Sequence, residues 1–133
     1  MNAATVDIKD ILINEGDLGL TFGTNLFISR EPTQPDDCVT LYDTGGPEDD
    51  LTLDRLERYE RPRIQVRSRA NNYTDAYGMI QDIRSKLQGR AHEVWNGAMY
   101  TLIRVASGPE FIEYDGNNRA IVVLNLMIQR RPA

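Results

Sequence analysis

The sequence predicts an α+β fold: an antiparallel or mixed β-sheet with two α-helices packed on one face. Three observations predict it. Two stretches repeat apolar residues at helical spacing, shorter stretches between them are rich in β-formers, and most connections are local. The chain has 133 residues, enough for one ordinary domain spanning 1–133. A chain of this length buries about two-thirds of its unfolded surface, so one core suffices. The composition, 41% hydrophobic and 26% charged, is that of a folded globular protein. No apolar run reaches the ~18 residues of a membrane span. The start, "MNAATVDIKD", lacks the basic and apolar regions of a signal peptide, so synthesis in the cytoplasm is expected.

The first helix covers residues 5–15, where Ala4, Ile8, Ile11 and Leu12 form one stripe and Gly16 follows as a stop. A strand is expected over 20–31, with Gly23 as a bulge. "EPTQPDD" reads as a loop because proline cannot continue a ladder. "CVTLY", residues 38–42, is a second strand, and "DTGGPEDD" ends it. The segment 43–60 reads as an excursion, either mobile or with a helical turn around Leu53 and Leu56. Residues 62–69 alternate strictly, placing Ile64 and Val66 on one face and Arg63, Gln65, Arg67 and Arg69 on the other. Thr74 reads as an N-cap to the second helix, whose Ala76, Met79, Ile80, Ile83 and Leu87 form the buried stripe. "GRAHEVWNG" reads as a loop or element edge holding Trp95, a core or interface anchor. A strand over 99–106 follows, then a hairpin joining "FIEY" to a long strand from Ala120 to Gln129 through Asp115-Gly116-Asn117-Asn118.

The formal net charge is −5, but its distribution is uneven. Residues 36–60 carry nine acidic and two basic side chains, whereas 61–90 carry seven basic and two acidic ones. Either these are solvated faces with local pairing, or they are patches that meet their complements on a neighbouring copy. Head-to-tail contact between identical subunits brings unlike patches together and closes into rings.

Chemistry finds little support. Cys38 is the only cysteine, so no disulfide or cysteine-based zinc site forms within the chain. It reads as a small buried hydrophobe, and nothing places His92, the only histidine, beside it. Gly45-Gly46 is followed by Pro47, Glu48, Asp49 and Asp50, which repel phosphate where a phosphate-binding loop needs lysine. The same acids lack the alternation of a calcium loop. No acidic pair sits in an apolar strand pattern, as a glycosidase cleft needs. The arginine-bearing strand faces an acidic overall balance, with pI about 4.8, which disfavours nucleic-acid binding.

One constellation is more specific. Cys38-Val39-Thr40-Leu41-Tyr42-Asp43-Thr44-Gly45-Gly46, the arginine strand Pro62–Arg69, and Tyr73 leading into Asp75-Ala76-Tyr77 follow one another in order. In these residues the chain resembles a family of tailed-bacteriophage minor capsid proteins, also described as tail terminators or tail-completion proteins. The likeness extends over nearly the whole chain, except that the acidic stretch between Pro47 and Glu60 departs in length. The resemblance implies a tail-terminator-like fold and a structural role without catalysis, cofactor or metal. Proteins of this family form rings, usually hexamers, that cap the head-proximal end of the tail tube, stop its growth and offer the neck a docking surface. The expected partners are other copies of the chain, the tail tube protein and a neck or connector (head completion) protein. DNA is cargo passing through the lumen, and no membrane is involved. The expected location is the tail–neck junction of the virion, after synthesis in the host cytoplasm. The alternative is another head–tail neck component, a stopper or connector adaptor. Arg63, Arg67 and Arg69 are the candidates for intersubunit or tube contacts. Asp43, Thr44, Gly45, Gly46, Glu48, Asp49, Asp50 and Asp54 form the candidate contact loop.

Overall fold

Strand β8 (Ala120–Pro132) is the apolar spine expected near the C-terminus, and a mixed sheet is built outward from it. The computed structural model describes residues 1–47, 50–51 and 58–133. The chain runs through α1 (Ala4–Asn14), a 3-10 turn, β1 (Leu26–Ile28), β2 (Cys38–Asp43), β3 (Asp50–Leu51), β4 (Arg58–Tyr59), β5 (Arg63–Ala70), α2 (Tyr73–Leu87), β6 (Glu93–Trp95), β7 (Ala98–Tyr114) and β8. The main sheet has the order β1-β2-β5-β8-β7-β6, and β3 pairs with β4 in a small second sheet. Only β1 and β2 run parallel; the other neighbours are antiparallel, so the sheet is mixed.

Register sorts the side chains. Leu41, Val66 and Leu124 lie opposite one another across β2, β5 and β8, and all three are buried. They join Ile8, Ile11 and Leu12 of α1 and Ala76, Ile80, Ile83 and Leu87 of α2 in one core. Both helices therefore cover the same sheet face. Each buried leucine or isoleucine contributes about 1.5–3 kcal/mol, so this stripe and its sheet partners dominate stability.

Several expectations need correction. The strand expected over 20–31 shrinks to β1. Residues before it form a turn: the Asn25 side chain accepts from Thr21 N at 2.7 Å and donates to the Gly19 carbonyl at 3.0 Å. Gly23, at φ 85°, belongs to this turn and not to a bulge. The "loop" before position 98 contains β6, joined to β7 by Asn96-Gly97, both at positive φ. The two strands expected at 99–106 and 111–114 are one strand, β7, which passes through irregularities without leaving β8. Gly108 permits this, since a Cβ there would lie 2.8 Å from the Val123 carbonyl oxygen.

The cap of α2 is Asn72, two residues before the expected Thr74. Its Oδ1 accepts from Asp75 N at 2.9 Å. Asn72→Ala is expected to cost about 1 kcal/mol in chemical denaturation, and Thr74→Ala far less.

Candidate functional site

The Asp43-Thr44-Gly45-Gly46 stretch, expected to end the strand, is part of a hairpin that extends it. Thr44 N donates to the Arg63 carbonyl at 2.9 Å, and Arg63 N donates to the Gly45 carbonyl at 2.7 Å. These bonds continue the β2–β5 ladder, and Asp50 pairs with Tyr59 further out. Gly45 and Gly46 take φ values of 86° and 150°. A Cβ on Gly46 would overlap the carbonyl of Arg61. The paired glycines thus allow two strands to approach closely at the base of an arm. Asp43 is exposed and accepts from Thr5 Oγ1 at 3.1 Å, tying the base to α1. Glu48, Asp49 and Asp54, and the helical turn expected around Leu53 and Leu56, lie outside the described residues; Asp50 is placed by its backbone pairing alone.

The returning side of the arm is anchored by a buried ionic cluster. Glu60 and Arg130 exchange backbone hydrogen bonds at 2.8 and 3.0 Å. Arg130 Nε donates to Glu60 Oε2 at 2.8 Å, and Nη1 donates to Asp7 Oδ2 at 3.3 Å and to the Tyr100 hydroxyl at 3.0 Å. The Tyr100 hydroxyl donates to Asp7, and Asn96 Nδ2 donates to Asp7 Oδ1 at 2.6 Å. Burial, with the Asp7 hydrogen bond added, pushes the Tyr100 phenol well above its usual range. One arginine therefore joins α1, β7, β8 and the arm.

The sheet face opposite the helices carries the three candidate arginines, and it is divided. At one end the 31–37 loop covers it. Arg69, 3% exposed, donates to the carbonyls of Pro35 at 2.6 Å and Asp36 at 3.1 Å. Arg119 donates to the Thr33 carbonyl at 2.6 Å and to Asp115 Oδ2 at 2.8 Å. The backbone N–H of Arg119 in turn holds the Asp115 carboxyl below its usual range. Arg67 sits at the margin with its Nε 3.2 Å from Glu31 Oε2. Cys38 lies beside this group, and burial pushes its thiol up.

The other end is open. Arg63, the exposed first residue of β5, lies opposite Met127 of β8, which lies opposite Arg104 of β7. The structure therefore does not gather the three candidates into one basic face. Arg69 and Arg67 are engaged within the chain, and Arg63 instead shares its row with Arg104. Arg104 was missed because its strand reads as an apolar run. Arg119 and Arg130 were missed because their partners lie 86 and 123 positions away.

Among the described residues, two features stand out: the base of an arm whose sequence is acidic, and a divided sheet face. A family model described as "Bacteriophage tail terminator protein" matches residues 11–131. No curated protein matches the chain. Among solved structures, the chain is similar to one from the virion of a native gene transfer agent (GTA) particle. The TM-score is 0.69 at 13% identity, over 97% of this chain and 95% of that one, a likeness that shows the fold alone.

Proposed function

The chain belongs to the bacteriophage tail terminator family and is a structural component of the virion, and on that premise we propose that its copies assemble into a ring, hexameric in number. The ring caps the head-proximal end of the tail tube and stops its polymerisation. Its outer rim gives the neck or connector protein a surface to dock on, and DNA passes through the lumen as unbound cargo. The whole chain acts as one domain in this role. The match across residues 11–131 carries the reading, because it begins in the last turn of α1 and spans α2 and nearly all of the sheet as well as the sequence motif.

The charge layout supports a head-to-tail ring. A closed ring needs two unlike patches on each subunit. The arm, from Asp43 through Asp54, supplies an acidic patch in sequence, and the strand opening at Arg63 supplies a basic one. Arg67 and Arg69 support that strand from within, through Glu31 and the 31–37 loop. Contact of such patches speeds and orients assembly more than it adds affinity.

Tail terminator and neck stopper are separated by order of binding. With purified components, the protein is expected to sediment with tail tubes in the absence of any portal-side ring. Sedimentation with the portal-side ring alone would assign it to the neck as a stopper or connector adaptor.

A further inference from the structure

Most basic side chains of the described residues are engaged within the chain. Arg67, Arg69, Arg90, Arg119 and Arg130, together with Lys86, all meet carboxylates. Three arginines on the open sheet face do not. The Arg63 side chain has no hydrogen bond or ion pair among the described residues. Arg104 Nη2 reaches only Met127 Sδ, at 3.2 Å, and Arg131 Nη1 only the Pro132 carbonyl, at 3.1 Å. Arg63, Met127 and Arg104 occupy one row across three strands. Arg131 lies four residues along β8 from Met127, hence on the same face and about 13 Å away. Between them stand Gln129 and its partner Leu102, 37% exposed, and beside Arg131 stands its partner Met99. The carboxylates of this face, Glu110 and Glu113, stand at its other end, opposite Val123 and Ile121. A shallow concavity lined by Thr44, Arg63, Ser107, Asn125 and Met127 marks the arginine end.

This is a surface of unpaired positive charge interleaved with the exposed Leu102 and the half-buried Met99 and Met127, in a chain of net charge −5. Its chemical complement is present in the same sequence. Residues 48–57, "EDDLTLDRLE", hold five acids and one arginine, with Leu51, Leu53 and Leu56 between them. We propose that the open face, carried by Arg63, Arg104 and Arg131, receives the 48–57 segment of a second copy of this chain. Carboxylates meet the arginines, and leucines meet Met99, Leu102 and Met127. In a head-to-tail ring every subunit then gives one segment and receives one. The inference rests on the ring reading and names the residues of its contact.

The test uses R104E/R131E, a reciprocal variant D49K/D50K, and the two combined, each added to purified tail tubes at low salt. The readout is the fraction recovered as cross-linked ring. Each charge-reversed pair is expected to lower ring recovery about tenfold or more, and the combined variant to regain most of it. Raising salt to about 1 M, where the Debye length falls to about 3 Å, should weaken the parent ring in the same direction. Melting curves report folding of each variant, and R104Q/R131Q replaces the reversal if its melting point moves. Five results overturn the inference. One is parent-like assembly of R104E/R131E, and another is a combined variant that stays defective. Charge reversal that shifts only the melting of the isolated chain places the segment on its own copy. Loss of duplex-DNA retardation with unchanged assembly assigns the face to nucleic acid. If the parent itself forms no ring on tubes, the ring reading has failed, and this contact falls with it.

Discussion

Replacing Arg130 with methionine is expected to lower the unfolding free energy by about 3–5 kcal/mol, the cost of leaving a buried charge without its partner. The magnitude follows from what Arg130 touches. Asp7 is fully buried, and its Oδ2 faces Arg130 and the Tyr100 hydroxyl. Methionine fills the space of the arginine stem but offers no donor, so Asp7 keeps its desolvation cost and loses its counter-charge. Glu60 loses its side-chain partner at the same time. Urea denaturation measures the loss. A companion variant, Asp7→Leu with Arg130→Met, is expected to recover a large part of it, because a buried pair exchanged as a whole for apolar side chains is often neutral. A loss below about 1 kcal/mol for Arg130→Met, the scale of an exposed pair, would mean that the cluster is hydrated and not part of the core.

The second large effect is expected at Gly46. A Cβ there meets the Arg61 carbonyl, which is backbone and cannot rotate aside, and φ is 150°. Gly46→Ala is expected to cost about 2–6 kcal/mol, the sum of strain and overpacking at roughly 1–3 kcal/mol each. Gly45→Ala is a useful control. Its φ is 86°, but a Cβ would meet nothing within 4 Å. It should therefore show only the left-handed penalty of about 1–2 kcal/mol. Hydrogen exchange at Thr44 N and Arg63 N, which bond across the base of the arm, localises the effect. Equal costs at the two glycines would contradict the close approach of the two strands.

These positions show where sequence reasoning reaches and where it stops. The α2 stripe was legible because apolar residues at helical spacing share one face: Ala76, Ile80, Ile83 and Leu87 are buried, while Met79, expected with them, is only partly so. Ile64 and Val66 were legible by the same argument at period two. The cap of α2 was not, because "NNYT" offers several capping side chains, and the exit of the chain from β5 selects Asn72. The continuity of β7 was hidden by Gly108-Pro109, which reads locally as a break; the unbroken β8 beside it holds the strand together. The Asn96-Gly97 hairpin carried a legible signal that "GRAHEVWNG" obscured through its charged and polar start.

The candidate site was legible in outline only. Alternation correctly placed Arg63, Arg67 and Arg69 on the face away from Val66. It carried no sign that the 31–37 loop folds over that face and supplies Arg69 with carbonyl acceptors. Such partners are fixed by tertiary structure, not by spacing. Likewise the acidic stretch read as a loose excursion, since its base bonds run between Thr44 or Gly45 and Arg63, across a segment with no strong strand pattern of its own. The motif that carried the family resemblance, Asp43-Thr44-Gly45-Gly46, proves to be the tightest point of that base.

In the proposed role this chain ends a tail tube as a ring. That role is tested most directly by electron microscopy of purified tail tubes incubated with the protein and then challenged with fresh tube protein. The expected result is a ring at one end of each tube, the same end every time, and no further growth from that end. Tubes that bind the protein along their sides, or that elongate equally from both ends after incubation, would contradict it.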